Sequence, residues 1–162
     1  MDVEIKHSRM RAFEATCRSQ GIRLTYQRRV ILEAVLDLDD HPTADRVFET
    51  VAVRTPGISR TTVYRTLETL VRIGVITKAH HPSSVTRYDA RMDTHHHLVC
   101  QRCDAVIDLS DPRLDELPVP DTSRFGFEVL SASVQLRGIC RGCREGASDR
   151  ADHPETQRRN EP

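Results

Sequence analysis

Residues 59–90 read SRTTVYRTLETLVRIGVITKAHHPSSVTRYDA, and the reading of this stretch decides the fold. Ser59 suits a helix N-cap, and Val63, Leu67, Leu70 and Val71 recur at the spacing of one helical face. Gly74 is placed to stop that helix in a left-handed conformation. Two β-prone runs follow, GVITKAH and VTRYDA, with the turn composition HPSS between them. A helix that feeds a two-stranded hairpin is the end of a winged helix-turn-helix if helices also precede it.

They do. Residues 5–20 form a polar helix that ends before Gly21. Thr25 suits the N-cap of a helix reaching about Leu38, with Val30, Ile31, Ala34 and Val35 on its apolar face. After the acidic break DLDDHPT, Thr43 caps a short helix carrying Val47, Phe48 and Val51. The helix begun by Ser59 is then the one expected to enter a DNA major groove. Its Arg60, Thr61, Thr62, Tyr64 and Arg65 are of the types that contact phosphates and base edges. Two arginines on a helix are more often a plain solvated face; the position between a helix and a hairpin gives them meaning here.

Beyond residue 84 the character changes. HHHLVC and AVIDL read as short strands, and PRLDELP as a short helix. FEVLSASVQLRGIC alternates, with Leu130, Ala132, Val134 and Leu136 on one face, and predicts a long strand. The last residues, from 146 to 162, bury almost nothing apolar and are expected to be a disordered tail. The fold class is therefore α+β: a winged-helix domain over 1–84, then a small α/β domain over 85–145. The first 84 residues hold 13 Lys/Arg against 10 Asp/Glu, and the rest hold 11 against 14. That slight asymmetry suits a polyanion at one end and cations at the other. No apolar run is long enough to span a membrane, and no apolar signal core opens the chain, so the expected location is cytoplasmic.

Four of five cysteines form two C-x-x-C pairs, Cys100/Cys103 and Cys140/Cys143. Each pair brings two thiolates to one ion, and two pairs complete a tetrahedral, closed zinc site of structural type. The remaining thiol, Cys17, is expected to be a packing residue. In the run His95-His96-His97, strand alternation puts His95 and His97 on one face and His96 on the other. Asp89, Asp93 and Asp108 are the nearby carboxylates. Imidazoles with carboxylates make a harder site than four thiolates, suited to Fe(II), Mn(II) or Zn(II). His7, His80, His81 and His153 are expected to be solvated.

Taken together, LTYQRRVILEAV, HPTADRVFETV, ISRTTVYRTLETLVRIGVI, TRYD, THHHLVCQRCDAVIDL and GICRGC resemble the ferric uptake regulator family over about residues 10–145. The resemblance implies a homodimeric, metal-dependent transcriptional repressor on a palindromic double-stranded operator. It implies that the second domain dimerises, and that the four paired cysteines hold structural zinc. It adds His41 to Asp89, His95, His97 and Asp108 as ligands of a regulatory Fe(II) or Mn(II). Aspartate at both 89 and 108 is similar to the peroxide-sensing branch. Arg65 after Tyr64 is more like the iron-sensing branch, so iron, zinc or manganese sensing without a peroxide response stays open. The last strand lacks a histidine that some members use for a further metal. An enzyme with a mononuclear iron site at His95, His97 and Asp108 is the rival of another class, and a zinc adaptor that never touches DNA is a third.

Overall fold

The computed structural model describes residues 3–38, 41–79 and 85–146. Four helices open the chain: α1 (Val3–Ser19), α2 (Tyr26–Asp37), α3 (Ala44–Arg54) and α4 (Arg60–Arg72). Each of the last three starts at the expected cap. The hydroxyls of Thr25, Thr43 and Ser59 accept the backbone N–H of Arg28, Arg46 and Thr62, satisfying donors that a helix start leaves orphaned. After α4, Gly74 takes φ 69°, a value that favours glycine, and turns the chain into β1 (Thr77–Ala79). β1 pairs antiparallel with β2 (Arg87–Asp89) to form the wing. A boundary at residue 84 would thus cut this hairpin, since its second strand belongs with the first.

One apolar cluster fills this body. Phe13 of α1, Ile31 and Leu32 of α2, Val47 and Val51 of α3, and Leu67 of α4 are fully buried together. Cys17 lies in the same cluster, so it is a packing residue. Asp37 ties the helices from outside, pairing with Lys6 of α1 and Arg54 of α3.

The second unit is a three-stranded sheet in the order β4-β3-β5. β3 (His96–Cys100) is central, antiparallel to β4 (Val106–Leu109) and parallel to β5 (Gln135–Gly138). A single helical turn, α5 (Pro112–Asp115), follows β4, and another, α6 (Arg141–Arg144), follows β5. Among the described residues beyond Ala90, the buried apolar ones are only Val99, Cys100 and Val106. So small a core needs help from a metal or from association.

The long strand expected over 127–140 is a correction. Only Gln135–Gly138 is strand, because β3 offers pairing partners from His97 to Cys100 and no further. Upstream of Gln135 the chain runs past the end of its partner. Leu130, placed by alternation on a buried face, is 87% exposed.

Candidate metal centre and nucleic-acid interface

The histidine cluster is assembled from two bodies. The loop before α3 lies alongside β2: the Tyr88 N–H donates to the Pro42 carbonyl at 3.0 Å, and Thr43 bridges to Arg87. The buried Arg87 guanidinium donates to the His41 carbonyl at 3.1 Å. These bonds hold His41 in a left-handed conformation, φ 52°, unusual for a residue with a side chain. They also place its ring against Asp89 of β2. From the other body come His95 and His97, on the same face of the β3 segment, and Asp108 of β4, directly across the ladder from His97.

The side chains converge. His41 Nε2 lies 3.0 Å from Asp108 Oδ1 and 3.6 Å from Asp89 Oδ2. His95 Nε2 lies 3.0 Å from Asp89 and 3.5 Å from Asp108. His97 Nε2 lies 3.7 Å from both. The three Nε2 atoms are buried and none has a well-aligned hydrogen bond, which is costly unless something else satisfies them. His95 is oriented for that purpose, because its Nδ1–H donates to the Asp93 carbonyl at 2.8 Å and leaves the Nε2 lone pair aimed inward. Burial pushes the Asp89 carboxyl up. The facing His41 and His97 and the backbone N–H of Arg91 outweigh it and hold the group well below the usual carboxylate range. The ligand atoms of His41, Asp89, His95 and His97 all lie within 4.8 Å of one another, a set that fits a borderline divalent cation, and Asp108 adds an oxygen within 3.7 Å of each nitrogen. Asp93 is not a member: its carboxylate pairs with Arg91 at 2.6 Å.

His96 points the other way and is 2% exposed. Its Nδ1 accepts the Val134 N–H at 3.0 Å, so its Nε2–H donates to Asp115 at 3.0 Å. It joins β3 to α5 and to the approach to β5.

The four cysteines form the second cluster, with all Sγ atoms within 4.8 Å of one another. Cys100 ends β3 and Cys103 lies in the turn after it. Asp104 takes φ 60° there, and its N–H returns to the Cys100 carbonyl at 3.0 Å. Cys140 precedes α6 and Cys143 lies within it. Burial pushes the Cys100 thiol up, but the N–H groups of Cys140, Arg102 and Cys103 bring it down to about 6. Its neighbours crowd Cys143, which is pushed up to about 12. Four thiols this close cannot all ionise without a cation, and a soft tetrahedral one fits.

On α4, Arg60, Thr61, Tyr64 and Arg65 are exposed. Thr62 is half-buried and engaged in the cap, its hydroxyl 2.9 Å from that of Ser59. Arg60 is not free either. It pairs with Asp45 of α3 and lies 4.4 Å above the Phe48 ring, while the Tyr64 hydroxyl donates to the same Asp45 at 3.3 Å. Asp45, Arg87 and Asp115 have roles that sequence patterns did not suggest, because each acts through a distant partner. His7 is exposed on α1; His80, His81, His153 and the tail from residue 147 lie outside the described residues.

Comparison with known proteins places the sequence and the fold. Residues 19–137 match the model of the ferric uptake regulator family. Over 131 residues, 81% of this chain and 87% of the relative, the sequence is 30% identical to a peroxide-responsive repressor, PerR, of Staphylococcus epidermidis. The fold is similar to that of the Helicobacter pylori ferric uptake regulator, with a TM-score of 0.69 at 19% identity, covering 86% of this chain and 93% of that one. It is also similar to the Francisella tularensis ferric uptake regulator with iron, with a TM-score of 0.65 at 25% identity, covering 76% and 96%.

Proposed function

The chain belongs to the ferric uptake regulator family, and on that premise we propose a dimeric, DNA-binding repressor switched by a metal at His41, Asp89, His95, His97 and Asp108. The family regulates transcription in response to metals, so the enzyme reading is set aside. The observation that carries the proposal is the shared provenance of that site. His41 and Asp89 belong to the winged-helix body and His95 and His97 to the sheet, where Asp108 of β4 joins them.

A divalent metal would supply the positive centre toward which all five side chains are aimed. This chain's residues do the rest. Arg87 and the β2 backbone hold His41 in reach, Asp93 sets the His95 ring, and the β3–β4 register sets His97 against Asp108. Joined, the two bodies keep a fixed relation, and two α4 helices of a dimer keep one spacing. Separated, that arrangement is one among many and the competent state is depopulated. We divide the domains after Ala90 accordingly. Arg60, Thr61, Thr62, Tyr64 and Arg65 form the DNA face, and the target is a palindromic duplex.

Cys100, Cys103, Cys140 and Cys143 are assigned to structural zinc, which binds the end of β3 to the end of β5. The dimer forms on the sheet: Ile107, Leu98 and Leu136 stand side by side in the register, and all three are exposed in the single chain. No helix among the described residues is long and apolar enough to cross a membrane. A repressor of this kind works in the cytoplasm.

For the signal we propose peroxide acting through Fe(II). The two carboxylates are aspartates, and similar proteins are named peroxide-responsive repressors. A plain iron, zinc or manganese sensor is the second reading. It is favoured by Arg65 after Tyr64 and by likeness, at 27% identity, TM-score 0.62, and coverage of 78% of this chain and 97% of the other, to a zinc-bound manganese uptake regulator. The deciding experiment is duplex binding by zinc-loaded protein with Fe(II) or Mn(II), before and after a low dose of peroxide, with peptide masses on the same samples. Loss of binding in the iron sample alone, with an added oxygen on a peptide holding His41 or His95–His97, is expected. Binding that survives peroxide in both samples overturns the peroxide reading. Loss of DNA binding in the Arg60→Ala/Arg65→Ala double variant, with metal and dimerisation intact, tests the DNA face; unchanged affinity refutes it.

A further inference from the structure

We propose that Asp45 is a specificity-determining residue of this DNA reader, acting by holding Arg60 and Tyr64 away from indiscriminate phosphate contact. The inference rests on the DNA-binding reading above. Asp45 stands in the first turn of α3, and its carboxylate faces the opening turns of α4. One oxygen takes the Arg60 guanidinium and the other takes the Tyr64 hydroxyl. Arg60 and Tyr64 are four residues apart, so they share one face of α4. Asp45 and Phe48 are three apart and present the matching face of α3, and the Phe48 ring lies under the guanidinium.

The arrangement has an electrostatic consequence. The Arg60 side chain is 56% exposed, yet its charge is already matched by a carboxylate. A free arginine at the tip of a recognition helix goes to any phosphate, and that contact carries no sequence information. Here a phosphate must compete with Asp45 for Arg60. On a matching duplex the guanidinium keeps its pair and offers its remaining N–H donors, already aimed, beside a Tyr64 ring fixed by the same carboxylate. On a non-matching duplex no base edge is in register, and the only gain available to Arg60 is the phosphate that Asp45 opposes. Asp45 therefore weakens non-specific binding more than specific binding, which is discrimination by an unfavourable contact.

The test uses zinc-loaded full-length protein with Mn(II). The probes are a palindromic duplex that this protein selects from a random pool and a shuffled duplex of the same composition. Asp45→Asn keeps the size and removes the charge. We expect shuffled-duplex affinity to rise about two- to five-fold, the range of an exposed ion pair. Its salt dependence should steepen by about 0.9, the mark of one more phosphate contact. Affinity for the selected duplex should change less than that, so the ratio falls. Asp45→Ala must move the ratio in the same direction. In an Arg60→Gln background, Asp45→Asn should change nothing, because the effect runs through Arg60. An unchanged ratio overturns the proposal. So does an equal gain in the Arg60→Gln background, which would mean direct repulsion of DNA by Asp45. Failure of the parent protein to select any duplex would show earlier and overturns the DNA-binding reading, and this inference with it.

Discussion

Arg87→Met should weaken the regulatory metal without touching any of its ligands. The left-handed backbone at His41 costs a residue with a side chain about 1–2 kcal/mol. A charged hydrogen bond from Arg87 to the His41 carbonyl, worth about 1.5–3 kcal/mol, offsets it. Methionine fills much of the same volume but donates nothing. The loop can then relax toward an ordinary conformation and carry the imidazole away from Asp89. Metal binding must reimpose the strained state, so the loss in affinity is the strain itself, about 1–2 kcal/mol or roughly 5- to 30-fold. The bonds from Tyr88 to Pro42 and from Thr43 to Arg87 are made by the β2 backbone, survive the change and keep the loss from growing larger. The assay is a Mn(II) titration of zinc-loaded protein, reading free Mn(II) by electron paramagnetic resonance. Arg87→Met should fall between the parent and His41→Ala. Once His41 is alanine, adding Arg87→Met should cost little more, since both act on one ligand. Parent-like affinity, or an equal further loss in the His41→Ala background, would refute the reasoning.

Other outcomes follow from the same structure. Lys6 and Arg54 hold the Asp37 carboxyl below its ordinary value, although burial alone would raise it. Its contribution is therefore complete above the unfolded value near 3.9 and is lost as pH falls through the lower folded value. In urea melts, Asp37→Asn should be less stable by about 0.5–1 kcal/mol. That gap should be flat from pH 7 to 5, close below about pH 4, and shrink in high salt; equal stability at pH 7 would refute the role. His96→Ala leaves the Val134 N–H and Asp115 without their partner and should cost about 1–3 kcal/mol in the same melts, with zinc content unchanged. Removing zinc with a chelator, or Cys100→Ser, should dissolve the dimer in sedimentation while most of the helical circular dichroism persists, because the apolar cluster lies in the first body. Loss of helix in step with the dimer would contradict that separation.

What was legible in the sequence was what is local. Thr25, Thr43 and Ser59 act within three residues of themselves, and all three caps are where their side chains suggest. The alternation His95-His96-His97 is equally local, and it separates His96 from its neighbours as a strand must. The wing and the sheet arms around the first cysteine pair followed from composition. The extent of β5 was not legible, because alternation says which face a residue would take but not whether a partner strand reaches it. Nor was the grip of Arg87 on His41, which spans 46 residues and ends on a carbonyl that no side-chain pattern encodes. Arg60 was legible as a basic residue on the correct helix; its engagement with Asp45 depends on how α3 crosses α4.

The uneven division of the proposed metal site, two donors in the first body and three in the sheet, separates two quantities that are easily confused. Three donors on the sheet can keep an ion without help from the first body. A variant lacking His41 or Asp89 could therefore be loaded at ordinary metal concentrations and still be deaf to its cargo, because nothing ties the ion to the reading helix. How much metal trips the regulator would then depend on all five donors, whereas how strongly it responds would depend on the two in the first body. A change at His95, His97 or Asp108 would move the threshold, whereas a change at His41, Asp89 or the arginine behind them would move threshold and amplitude together.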